Sequence, residues 1–228
     1  MKRFYKEVSV ADENGAFHVL LDGRPIKTPG RWQLALPTRA LAEAIADEWR
    51  AQEEIIDPKS MPLTSLAMGA IDSAADERAD QALVFAKSDL LCYRAEEPAE
   101  VVTRQAASWD RLLDWADERY GARLAVATGI VFVEQPPEAL AALARAVRGR
   151  SPFHLTAIHA AAAITGSLVL ALALAERRLT AGEAFATSRV DEAFQAEKWG
   201  EDAEASARDA RLAGELAAIE RFLRSLDA

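Results

Sequence analysis

SPFHLTAIHAAAAITGSLVLALALAERR, Ser151 to Arg178, carries no Asp, Glu, Lys or Arg between Leu155 and Ala175. Ser151 supplies a capping oxygen and Pro152 suits the first helical turn, so a helix is expected to start here. A helix apolar on every side must be covered on every side, by lipid or by other helices. The stretch is just long enough to span a bilayer. Two features favour a protein interior. Ala predominates and Thr156, His159, Thr165, Gly166 and Ser167 interrupt it, which weakens transfer into lipid. Arg148 and Arg150 on one side and Glu176, Arg177 and Arg178 on the other set no orientation across a membrane. The expected element is therefore the buried central helix of a helical domain.

Composition narrows the classes. A length of 228 residues allows one large domain or two small ones. The 27 Lys and Arg against 36 Asp and Glu give a net charge of -9, which disfavours nucleic acid or an anionic membrane as the main partner. Cys92 is the one cysteine, so an intramolecular disulfide or a multi-cysteine metal site is excluded. The N-terminus, MKRFYKEVSV, shows neither an apolar signal core nor an Arg/Ser-rich transit pattern, and the expected compartment is the cytoplasm.

Before the central stretch, residues 1 to 36 alternate as strands. Phe4, Lys6, Val8 and Val10 share one face, Asn14-Gly15 is a hairpin turn, and Phe17, Val19 and Leu21 resume the alternation. Asp22-Gly23 and Pro29-Gly30 are two further turns, which gives a meander of four short antiparallel strands ending at Trp32 to Leu36. A helix from Thr38, with Leu41, Ile45, Trp49 and Gln52 along one stripe, is expected to cover that sheet and to end at Asp57-Pro58. The fold class is thus α+β. A β-rich N-terminal domain with its covering helix occupies residues 1-58, and a larger all-helical domain occupies 59-228.

Helical periodicity then dominates. It appears after Pro62, again over Asp76 to Lys87, and along a long amphipathic helix through Gln105, Trp109 and Leu112 to Gly121. Leu124 to Val133 alternates like a strand but contains Gly129, and is read as a lone strand or an extended connector. Glu138 to Val147 is a short helix. Thr180 and Glu183 form a capping box for a helix expected to run to Trp199, and Asp202 can cap the last helix. In that last helix Leu212, Leu216, Ile219, Leu223 and Leu226 make a bundle-packing seam.

Chemical motifs are scarce. There is no glycine-rich phosphate loop and no Gly-x-Ser-x-Gly elbow; Ser167 reads as mid-helix and Cys92 as buried and inert. His154 and His159 lie five apart, a poor spacing for a shared metal, so neither a metal site nor a cofactor is expected. Asp191 to Asp202, DEAFQAEKWGED, stands out. On a helix Glu192, Gln195 and Trp199 fall on one stripe, and aromatics beside hydrogen-bonding groups are typical anchors of protein interfaces. The plainer reading is a solvated acidic face with Phe194 and Trp199 packed inside.

Several blocks carry a resemblance. LDGRPIKTP (21 to 29), LAEAIADEW with Gln52 (41 to 52), MPLTSLAMGAID (61 to 72), DLLCYRAEEP (89 to 98), Gln105 with WDRLLDW (109 to 115), GSLVLALAL (166 to 174) and DEAFQAEKWGED (191 to 202) resemble, in order, the Atp-twelve family of F-type ATP synthase assembly chaperones. With no presequence visible, the resemblance points to a bacterial member. It implies a non-enzymatic, ATP-independent chaperone that binds the unassembled alpha subunit and shields the surface later covered by the beta subunit. It also implies a β-rich domain followed by a helical one, and places the family's late carboxylate on Glu192. Partner-binding candidates are Asp191, Glu192, Gln195, Trp199 and Asp202, in a chain expected to be monomeric and not inserted in a membrane. The rival is an enzyme of unrecognised chemistry using His159 and Glu192, with Asp72, in a helical pocket. A third reading makes the chain a peripheral membrane factor through the Ser151 to Arg178 helix.

Overall fold

The computed structural model describes residues 1–228. Strand β1 (Val8–Glu13) pairs antiparallel with β2 (Ala16–Leu21) across Asn14-Gly15, where both residues have positive φ (57° and 85°), as a two-residue hairpin turn requires. Asp22-Gly23 makes the same kind of turn into β3 (Arg24–Pro25). The fourth strand, β4 (Ala35–Leu36), does not extend a meander as expected. It returns to the β2 edge beyond β3, pairing Leu36 with Phe17, while residues 27 to 33 loop outward. The first strand also begins at Val8 rather than Phe4, which leaves the Phe4 ring in solvent.

Helix α1 (Arg39–Arg50), capped by Thr38, buries Leu41, Ile45 and Trp49 against the sheet. It stops well short of Pro58. Gln52 takes over the chain there, donating to the Glu48 carbonyl and accepting from the Asp57 N–H, which holds an irregular segment. Helices α2 (Pro62–Asp72) and α3 (Ala75–Val84) follow, with Pro62 at the first turn of α2. Glu48, buried on α1, accepts from the N–H groups of Leu63 and Thr64 and from the Thr64 hydroxyl, so one carboxylate caps α2 from the neighbouring helix.

A short strand, β5 (Tyr93–Arg94), precedes α4 (Ala99–Tyr120), which ends on left-handed Gly121. In the alternating segment 124–133 only β6 (Ala127–Thr128) pairs, parallel to β5, and Ile130, Val131 and Phe132 stand exposed. Next come α5 (Pro137–Val147) and then the central stretch, which is two helices, not one. Helix α6 (Pro152–Thr165), capped by Ser151, packs against α2 and α3, and α7 (Leu168–Ala175) is buried from Leu168 to Leu174. Gly166 turns left-handed (φ 70°) between them, and Ser167, expected in mid-helix, caps α7 by accepting from the Leu170 N–H. No helix is long and apolar enough to cross a membrane.

The segment 89–92 plugs that break. Leu90 N–H donates to the Gly166 carbonyl, and the fully buried Asp89 carboxylate accepts from the N–H groups of Val169 and Leu91. Burial pushes the Asp89 carboxyl up to about 6 in spite of these donors. Beside it, burial aided by the Asp89 charge pushes the Cys92 thiol up to about 12, which makes it inert at neutral pH.

Thr180 and Glu183 form the expected capping box, but the helix breaks into α8 (Ala181–Ser188) and α9 (Val190–Trp199). At the break the Thr187 carbonyl accepts from the indole N–H of buried Trp109 (2.8 Å). Asp202 then caps α10 (Ala203–Leu226), which buries Leu216, Ile219 and Leu223, together with Phe222 beside the expected seam, against α6 and α8. A single apolar cluster runs from Tyr5 in the N-terminal part to Leu223 in α10.

Candidate functional site

Of the residues singled out in the sequence, Asp191, Glu192, Gln195 and Trp199 all lie on α9. This helix rests on α4 through one deep polar contact. Gln105, buried on α4, donates from Nε2 to the Asp191 carboxylate (2.7 Å), while its Oε1 accepts from the Ala95 N–H (2.8 Å). It thereby ties the strand leading out of β5 and the start of α9 to the same helix. At the other end of α9, Arg104 on α4 pairs with Glu197 and Glu100, each at 2.8 Å. Phe194 is buried beneath two cations, with Arg104 and Lys198 each 5.4 Å from its ring centre.

The packed reading of the aromatics therefore holds for Phe194 and fails for Trp199, which is 72% exposed. Glu192 and Gln195 are exposed beside it, so the predicted stripe of Glu192, Gln195 and Trp199 faces solvent. Glu192 has only Arg189 nearby, at 3.7 Å, and Gln195 makes no side-chain hydrogen bond. Asp191 and Asp202 have internal work, the first on Gln105 and the second as the cap of α10, where it accepts from the Glu204 N–H.

One feature escaped the sequence reading. Ile130, Val131 and Phe132 form an exposed apolar loop beside the α4 entry: Gly129 N–H donates to the Arg94 carbonyl, and Gly129 sits against the Glu96 side chain. The signal was the apolar run IVFV after a glycine, which alternation disguised as a strand. The loop thus adjoins Arg94 and Glu96, and the start of α9 is tied to the neighbouring Ala95 through Gln105.

The groups proposed for acid-base work do not meet. His159 lines a cleft of about 520 Å³ among α2, α3, α6 and α10, whose walls include neither Glu192 nor Asp72. Burial, with the nearby Arg78 charge, lowers the His159 pKa, so the neutral ring accepts from Arg78 at Nδ1 (3.3 Å). Asp72 holds the turn before β4 instead. It accepts from the Thr28 hydroxyl (2.5 Å) and the Gly30 N–H (3.0 Å), so close that a Cβ on Gly30 would meet its carboxylate at 2.6 Å.

The family model described as ATP12 chaperone protein matches residues 2–117, about half of the chain. The chain is 25% identical over 214 residues to "Protein atp12, mitochondrial" of Schizosaccharomyces pombe, covering 87% of this chain and 74% of that one. Among solved structures, Atp12 from Paracoccus denitrificans superposes with a TM-score of 0.93 at 44% identity, covering 99% of this chain and 98% of that one. The Agrobacterium tumefaciens protein Atu1473 superposes with a TM-score of 0.94 at 44% identity, covering 99% and 86%.

Proposed function

The chain belongs to the ATP12 family of chaperones, and on that premise we propose that it serves assembly of the F-type ATP synthase by binding the unassembled alpha subunit without using ATP. The observation that carries the reading is the exposed stripe of α9, where an indole stands in solvent beside a carboxylate and an amide. A large ring left exposed costs free energy that a partner recovers, about 25 cal/mol for each Å² of apolar surface it covers. Trp199 would be the anchor, with Glu192 and Gln195 fixing orientation by hydrogen bonds around it. The exposed loop Ile130 to Phe132 would offer a second apolar contact.

The mechanism is mass action. A chaperone that binds the unpartnered subunit lowers the free concentration of its sticky face and yields when the true partner covers that face more extensively. Such a protein needs no catalytic group, and we read the chain as a non-enzyme acting as a monomer in the cytoplasm. Co-purification from extract, with partners identified by mass spectrometry in the presence and absence of ATP, tests the assignment. Recovery of the alpha subunit without ATP is expected. Recovery of other proteins with no alpha subunit contradicts the client.

A further inference from the structure

The cleft beside His159 contains a cation that the chain does not neutralise. Arg78 donates to Ser73 Oγ (2.6 Å), Gln81 Oε1 (3.1 Å) and His159 Nδ1 (3.3 Å), and none of these is a carboxylate. A guanidinium has five N–H donors, so two remain, the buried Nε one and one on Nη2. Thr156 on the same wall is only 6% exposed, and its hydroxyl has no partner either. The acid on the wall, Glu215, is engaged by Arg211 at 2.5 Å.

The surroundings suit an extended occupant. Leu66, Ala160 and Ile164 make an apolar wall, and Gly69 lies on the same wall beside Thr156 and the guanidinium. An adjoining depression shares Lys59, Pro62 and Glu215 with this cleft and adds Arg211. Arg78, Lys59 and the Arg211–Glu215 pair therefore line one continuous run that carries two cations beyond that pair, on a protein whose net charge is -9.

We propose that this run receives an acidic segment of the protein client, with a carboxylate gripped by Arg78 and flanking apolar side chains laid on Leu66, Ala160 and Ile164. The Nη2 N–H that Ser73 leaves free is the donor for that carboxylate, in a charge-assisted bond between two ionised groups. The assignment deepens the chaperone reading and rests on it.

Titration calorimetry of the purified alpha subunit against the full chain tests it. Two variants are compared with the unaltered protein, Arg78→Gln and Ala163→Glu, the second placing a like charge at an exposed position on the cleft wall. Both are expected to bind at least about tenfold more weakly, the scale of losing one partly desolvated charge pair. Arg78→Gln is also expected to flatten the dependence of affinity on salt, which a merely structural lesion would leave unchanged. If Arg78→Gln fails to fold, Ala163→Glu decides alone. Unaltered binding by the variants, with the parent protein binding normally, overturns the cleft assignment and leaves the client intact. No binding by the parent protein overturns both.

Discussion

Trp199 and Phe194 lie five residues apart in one helix and have opposite fates, and on the proposed function the difference separates a contact residue from a supporting one. Phe194 is fixed under Arg104 and Lys198, whereas Trp199 touches water. Trp199→Ala and Glu192→Ala are therefore expected to leave the melting temperature nearly unchanged and to weaken capture of the alpha subunit, as thermal melts beside a pull-down would show. Asp191→Ala should behave differently. Losing the partner of buried Gln105 costs about 1–3 kcal/mol of stability in urea unfolding.

Buried Asp89 gives a pH signature at the same scale. Its carboxyl is raised from 3.8 to about 6 in the folded chain, so between roughly pH 4 and 6 the folded state binds more protons than the unfolded one. The Asp89 contribution to stability thus falls as pH rises through that window and is constant above it. Relative to Asp89→Asn, the parent protein should gain about 3 kcal/mol between pH 7 and pH 4, from about two pKa units at 1.36 kcal/mol each. A difference between the two that stays flat with pH in urea titrations would contradict this account of Asp89.

At the scale of elements, the sequence was most legible where local chemistry decides. The caps at Thr38, Ser151, Thr180 and Asp202 and the turns at Asn14-Gly15 and Asp22-Gly23 all appear where their residue types place them. It was least legible where a distant group intervenes. Trp109 donates to the Thr187 carbonyl where one expected helix breaks, and Asp89 with Leu90 fills the break at Gly166 that divides another. Periodicity is blind to partners 78 or 80 residues away. The stripe on α9 could be read from spacing, but the exposure of its indole could not, since a helical wheel does not say which neighbours arrive. Gly166→Ala is expected to cost about 1–2 kcal/mol, because φ there is 70° and a Cβ disfavours it. A denaturation midpoint equal to that of the parent would show that the break does not depend on this residue.

Across the whole molecule, the polar residues of the recognisable blocks mostly bind block to block: Glu48 to α2, Asp72 to the turn at Gly30, Asp89 to α7 and Gln105 to α9. We retain the division into residues 1-58 and 59-228 as a proposal about architecture, with two domains that share one apolar cluster and so unfold together. Coincident far-ultraviolet and tryptophan-fluorescence transitions are expected, and two separated transitions would contradict the coupling. On the proposed function this framework presents a client surface. The most direct measurement is light scattering of refolding alpha subunit with an equimolar amount of this protein and no nucleotide. The account predicts that scattering is suppressed and that Trp199→Ala suppresses it less; aggregation at the rate seen without the protein would contradict it.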